Sequence, residues 1–215
     1  MKVPSKTIER QLFKSGYRTV IGVDEVGMGC LAGPVVVCAV LIAPAFYKNF
    51  YRQLIGLRDS KLLTSNQRDV FSKELLTNPH IQASISFCYP ETIDKVNIYQ
   101  AARLAMRRAV AALVKSKNKK AKSIVLVDGP HNIPDLTMDQ IPIVRGDSKV
   151  FAIACASIIA KVRRDKMMVR YAKKFPGYGL EQHKGYATKF HKARLAALGP
   201  CEIHRRSFSP VANLV

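Results

Sequence analysis

The stretch RTVIGVDEVGMGCLAGPVVVCAVLI, residues 18–42, decides the fold. Arg18 to Val23 reads as a buried strand because it is apolar and rich in β-branched residues, and it ends directly on Asp24 and Glu25. A glycine-rich turn follows, and then a second apolar run from Pro34 to Ile42, so the pair predicts a hairpin. The interval from Val26 to Tyr47 carries no charge, which raises the question of a membrane span. Gly27, Gly29, Gly33, Pro34 and Pro44 interrupt it and Val35 to Val37 favours strand, so no membrane association is expected.

Outward from this hairpin, Ser65 to Leu76 has helical composition opened by Thr64 or Ser65 as a cap, and Ile81 to Tyr89 alternates as a strand does. Asn97 to Lys115 is an amphipathic helix: Ala101, Leu104, Ala105, Ala109, Ala112 and Leu113 form one stripe, with Arg103, Arg107 and Arg108 largely off it. Lys115 to Lys122 is expected to be a solvated loop. Two short apolar strands come next, Ser123 to Val127 and Ile141 to Val144. Each runs into a carboxylate, Asp128 directly and Asp147 after Arg145 and Gly146. The apolar spacing of Phe151, Ala154, Cys155, Ile158, Ile159 and Val162 predicts a long helix packed on the sheet. Beyond it lie a basic, glycine-containing loop, a short helix and the tail His204, Arg205, Arg206. Strands and helices in this order give an α/β class with a central sheet, whose ligands gather at strand ends. With no repeat or linker, residues 1–215 read as one domain.

Thirty-five Lys and Arg against fifteen Asp and Glu leave a net charge of +20, which suits a polyanion, nucleic acid first. Cys30, Cys38, Cys88, Cys155 and Cys201 form no CxxC pair and read as buried thiols, so neither disulfides nor zinc are expected. Met1 to Lys14 lacks the apolar core of a secretory signal, and a cytosolic location is expected.

In so basic a chain, Asp24, Glu25, Asp128 and Asp147 at the ends of apolar strands need a positive partner, because burying charge is expensive. Hard cations such as Mg²⁺ take oxygen ligands. Two of them about 4 Å apart activate water and stabilise the leaving oxygen of a phosphodiester. Any one of these acids alone is better read as a turn cap or an ion-pair partner; the constellation carries the signal. Asp165 is expected to pair with Arg163, Arg164 and Lys166, and Asp59 to be a turn or cap residue. His183, His191 and His204 lack zinc spacing and are expected at the surface or on substrate.

At this point a resemblance enters. GVDEVGMGCLAGPVV (22–36), LRDSKLLT (57–64), LVDGP (126–130), RGDSKVFAIACASIIAKVRRD (145–165), FPGYGLEQHKGYATKFH (175–191) and GPCEIHRRSF (199–208) resemble the successive motifs of bacterial ribonuclease HII. The likeness runs from about Thr19 to Pro210. It implies a ribonuclease H-like fold, a mixed sheet flanked by helices, with a small substrate-binding helical portion over about 172–215. It implies Mg²⁺ or Mn²⁺ held by catalytic Asp24, Glu25, Asp128 and Asp147. The implied substrates are RNA–DNA hybrids and duplex DNA containing ribonucleotides, cut 5′ of the ribonucleotide to leave a 3′-hydroxyl and a 5′-phosphate. A Gly-Arg-Gly loop and a tyrosine read the sugar in that family; the corresponding residues are Gly27, Met28, Gly29 and Tyr186. Met28 therefore replaces the family arginine, and Leu62 stands where the family has a second lysine beside Lys61. Lys61, Arg205 and Arg206 are expected on the phosphate backbone. No protein-partner motif stands out. Two rival readings stay open: a nucleic-acid binder on the same fold with weakened catalysis, and a different metal-dependent phosphoryl-transfer enzyme.

Overall fold

The computed structural model describes residues 3–49, 51–115 and 122–214. The two runs of residues 18–42 form β1 (Thr19–Val26) and β2 (Val35–Ile42), antiparallel neighbours in register from Val20↔Ile42 to Val26↔Val36, the expected hairpin. With β3 (Ile81–Cys88), β4 (Ser123–Asp128) and β5 (Asp139–Ile143) they make a sheet in the order β3-β2-β1-β4-β5. β3 is antiparallel to β2, whereas β4 is parallel to both β1 and β5, so the sheet is mixed. The helices are α1 (Thr7–Lys14), α2 (Ser65–Thr77), α3 (Pro90–Val96), α4 (Ile98–Lys115), α5 (Phe151–Lys174), α6 (Leu180–His183) and α7 (Lys189–Leu198).

Strand alternation sorts the core into two halves. Val20, Val36, Cys38, Val40, Ile124 and Leu126 face one side and pack with the small and branched residues of α5. Ile21, Val23, Val35, Val37, Ala39, Val125 and Val127 face the other and pack on Ala101, Ala105 and Ala109 of α4. All eight residues of β2 are buried, which explains its unbroken apolar run. Gly22 sets the depth of the α5 packing: a Cβ there would lie 2.3 Å from the backbone carbon of Ala152, so only glycine lets β1 touch the helix backbone.

α1 lies outside the elements read from the sequence. Its Glu9 is buried and accepts the Ala152 N–H at 3.0 Å, supplying from a distance the cap that α5 lacks at Val150. α2 opens with Thr64 in a capping box with Gln67.

Several boundaries differ from expectation. β5 runs Asp139–Ile143, not Ile141 to Val144; it is a half-exposed edge strand, where Pro142 is tolerated. Tyr89 leaves β3 and caps α3. Ala112 is exposed, and the buried face of α4 instead includes Ala102, Met106 and Val110. Within the predicted loop Lys115 to Lys122, residues 116–121 lie outside the described residues. Among the described residues, no helix is long and apolar enough to cross a membrane.

Candidate active site

Parallel pairing places the site. Val23 is level with Val127 in the β1/β4 ladder, so the next residues, Asp24 and Asp128, leave the same end of two adjacent strands, and Glu25 follows on β1. Asp147 arrives from a 3-10 turn, Gly146–Ser148, after Arg145 in a left-handed conformation (φ 56°), rather than from a strand end. The Gly146 N–H donates to Asp128 Oδ1 at 2.6 Å and fastens that turn to β4. A Cβ at Gly146 would stand 2.5 Å from Ile153 Cδ1 and 3.2 Å from Asp128 Oδ1, so a side chain there would crowd both. The structure thus brings the four predicted acids together from residues far apart in the chain.

The surroundings of Asp24, Glu25 and Asp147 disfavour a bare negative charge on each. Asp24 is 5 % exposed and Asp147 6 %. Burial, then Glu25 and Asp128, raises the Asp24 carboxyl well above the usual carboxylate range, with Ser157 of α5 opposing as a hydrogen-bond partner. Burial and Asp128 push Glu25 up to about 7. Asp147 is raised by burial, Asp128 and Asp59, with Lys61 opposing. Lys61 stands 3.8 Å from Asp147 Oδ2, its side chain 81 % exposed; burial works against its ammonium, but Asp147 and the neighbouring acids raise its pKa. Asp59 is the cap that was expected, accepting the Lys61 N–H at 2.9 Å.

A divalent cation fits this donor set. Glu25 Oε2 is buried without any hydrogen-bond partner, an acceptor aimed at nothing the protein supplies. Among the described residues no three or more His, Cys, Asp or Glu close into a ready-made cage.

Beside the acids, the loop after β1 is held by two buried guanidinium groups. Arg164 of α5 donates to the carbonyls of Pro34 (3.0 Å), Ala32 (3.0 Å) and Lys184 (2.8 Å). Arg205 donates to those of Gly27 (2.6 Å), Met28 (2.9 Å) and Gly33 (3.1 Å). Both residues are 0 % exposed. The expectation that Arg205 contacts the duplex is therefore corrected: its charge is spent on loop carbonyls inside the protein. Arg206 does remain exposed, with its backbone N–H held by Asp94 at 3.0 Å. Gly27 has φ 96°, and a Cβ on it would meet Arg164 Nε at 2.3 Å, whereas open space faces Gly29. Tyr186 is 40 % exposed and bridges to Cys30, which seats its ring at the edge of the same loop.

The histidines also depart from expectation. His191 and His204 are buried, not at the surface. The Cys201 N–H donates to His204 Nδ1 (3.0 Å), which leaves the His204 proton on Nε2, facing His191 Nε2 at 3.2 Å; His191 Nδ1 then donates to the Tyr186 carbonyl at 2.9 Å. This directed chain of neutral rings ends on the tyrosine backbone. Asp165 pairs with Lys161 (2.9 Å) and Arg68 (3.9 Å) rather than with Arg163, Arg164 or Lys166, because residues one or two apart on a helix point in different directions.

A family model described as Ribonuclease HII matches residues 21–211. The Ribonuclease HII of Caldicellulosiruptor saccharolyticus is 43% identical over 203 residues, 94% of this chain and 92% of that protein. That of Rhizobium meliloti is 44% identical over 208 residues, 97% and 90% of the two chains. This chain belongs to the ribonuclease HII family. As a ribonuclease H it is an endoribonuclease that acts on RNA–DNA hybrids. Solved structures agree on the fold. The ribonuclease H2 from Pyrococcus horikoshii OT3 superposes with a TM-score of 0.67 at 27% identity, covering 91% of this chain and 96% of that one. The structure of a PCNA:RNase HII complex from Archaeoglobus fulgidus gives 0.70 at 25% identity, covering 88% and 95%. The five-stranded mixed sheet is thus the one shared by ribonuclease HII structures, as the resemblance implied.

Proposed function

We propose that the chain incises duplex DNA on the 5′ side of a single embedded ribonucleotide, as well as cutting the RNA of hybrids, and leaves a 3′-hydroxyl and a 5′-phosphate. One observation carries the chemistry: four acids from three separate segments meet at one sheet end, with a buried Glu25 oxygen that no protein group satisfies. Asp24, Glu25, Asp128 and Asp147 would hold two divalent cations, Mg²⁺ or Mn²⁺. When bound, the pair supplies Lewis acidity toward the attacking water and the departing 3′ oxygen.

The remaining roles belong to the chain. Gly27 and Gly29 bring backbone groups against the 2′-hydroxyl that separates RNA from DNA, and the open space before Gly29 leaves room for the sugar. Met28 keeps that loop shape while contributing no charge. Tyr186 packs on the neighbouring deoxyribose. Lys61 and Arg206 are the exposed cations for flanking phosphates, and residues from about 172 to 215 form the substrate-facing portion. The test is cleavage of a DNA duplex carrying one ribonucleotide, with Mg²⁺, Mn²⁺ or chelator, beside all-DNA duplex. Metal-dependent cutting 5′ of the ribonucleotide is expected, with Asp24→Asn and Asp128→Asn abolishing it while binding persists. Near-normal cutting by both variants would sink the site assignment.

A further inference from the structure

A cavity of about 330 Å³ opens beside the acidic cluster, bounded by Glu25 and Asp128 on one side and by Met28, Tyr99, Arg103 and Met106 on the other. Three of these residues come from α4, an element with no part in the site described so far. Arg103 is only half-exposed, and among the described residues it makes no hydrogen bond, ion pair or ring contact. Its neighbour one turn on shows the contrast: Arg107 is engaged by Asp135 at 2.7 Å. A guanidinium standing on a cavity wall is matched in shape by a bidentate oxyanion. The cavity walls name the rest of the ligand. Tyr99, 67 % exposed at the rim, and Met28 offer an aromatic and an apolar surface of the kind that sugars and bases pack against.

We infer that Arg103 binds a phosphodiester of the nucleic-acid substrate adjacent to the one that is cut, with Tyr99 and Met28 flanking the attached nucleoside. Arg103 is a binding residue in this account and touches no reacting atom. The inference rests on the proposed site, because it is contact with Glu25 and Asp128 that places the cavity next to the reaction. It places a cation from α4 beside a loop whose own central residue, Met28, has none. Removing it weakens substrate binding more than it slows the bound complex.

The experiment compares wild type with Arg103→Gln, Arg103→Lys and, as a control outside the cavity, Arg107→Gln. KM and kcat are measured on an RNA–DNA hybrid and on the single-ribonucleotide duplex; duplex binding is measured separately in chelator against salt. For Arg103→Gln the expected result is a KM raised on the order of tenfold, a kcat within about twofold, and a salt slope of binding shallower by about one. Arg103→Lys recovers the slope but only part of the KM, because an ammonium lacks the fork geometry. Arg107→Gln stays within about twofold throughout. Unchanged KM and slope in Arg103→Gln, or an equal effect of Arg107→Gln, overturns the inference. If wild type fails to cut the single-ribonucleotide duplex, the proposed function fails instead, and the binding arm still decides Arg103.

Discussion

Two adjacent arginines with opposite surroundings provide a demanding test. Arg205→Met removes a fully buried guanidinium that satisfies the carbonyls of Gly27, Met28 and Gly33. Hydrogen bonds from charged donors contribute about 1.5–3 kcal/mol each, and of the three acceptors left behind those of Gly27 and Gly33 are buried and that of Met28 is partly so. Against this, burial pushes the Arg205 pKa down to about 10, so the cation is held there at a cost of about 3 kcal/mol that methionine relieves. The difference leaves a destabilisation of about 4 kcal/mol, or on the order of 10 °C in Tm for a chain of this size. Arg206→Met, at an exposed side chain, should stay within about 0.5 kcal/mol. The chain has no Trp, so urea unfolding is followed by far-ultraviolet circular dichroism and extrapolated to water. Hybrid cleavage measured below the unfolding temperature should also fall in Arg205→Met, since the Gly27–Gly29 backbone loses its anchor. A loss of stability under about 1 kcal/mol, or one no larger than for Arg206→Met, would refute the anchoring argument.

Two further expectations follow from the packing. Burial and then His191 push the pKa of His204 down to about 4, so the native state favours the neutral ring. Its contribution is fully present above the free value near 6.5 and is lost as pH falls from there toward 4, up to about 3 kcal/mol. Urea midpoints of wild type and His204→Gln at pH 7.5 and 4.5 should converge at the lower pH; a constant difference would contradict this. Gly22→Ala places a Cβ 2.3 Å from the Ala152 backbone and should cost at least about 3 kcal/mol, whereas Gly29→Ala meets nothing within 4 Å and should leave the urea midpoint unchanged while lowering hybrid cleavage. Equal stability losses for the two glycines would refute the contrast.

Much of this arrangement was legible from residues alone. Asp24, Glu25 and Asp128 stood out only as a group, since a turn cap or an ion pair explains any one strand-end acid but not several in so basic a chain, and the parallel β1/β4 pairing then sets Asp24 and Asp128 side by side. Asp147 was found for a partly wrong reason, since it sits on a turn positioned by Asp128 itself and not on a strand. Arg164, Arg205, His191 and His204 escaped because polarity is read as exposure, while burial of a polar side chain depends on partners that only the folded chain assembles. α1 escaped for its length: two turns give too little periodicity, and its main contribution, the Glu9 cap on α5, spans 143 residues. The α4 cavity was invisible because Met28 and Arg103, far apart in the chain, line one space only once α4 is packed against the sheet.

The loop between β1 and β2 takes its shape from carbonyl oxygens gripped by two arginines that lie elsewhere in the chain. Every hydrogen bond that fixes it runs to backbone, so those bonds do not depend on which side chain occupies position 28. A change of side chain at position 28 therefore alters what the loop offers a ligand while the backbone stays anchored. Arg164 and Arg205, by contrast, each hold a separate set of carbonyls, so losing either one frees its own part of the loop.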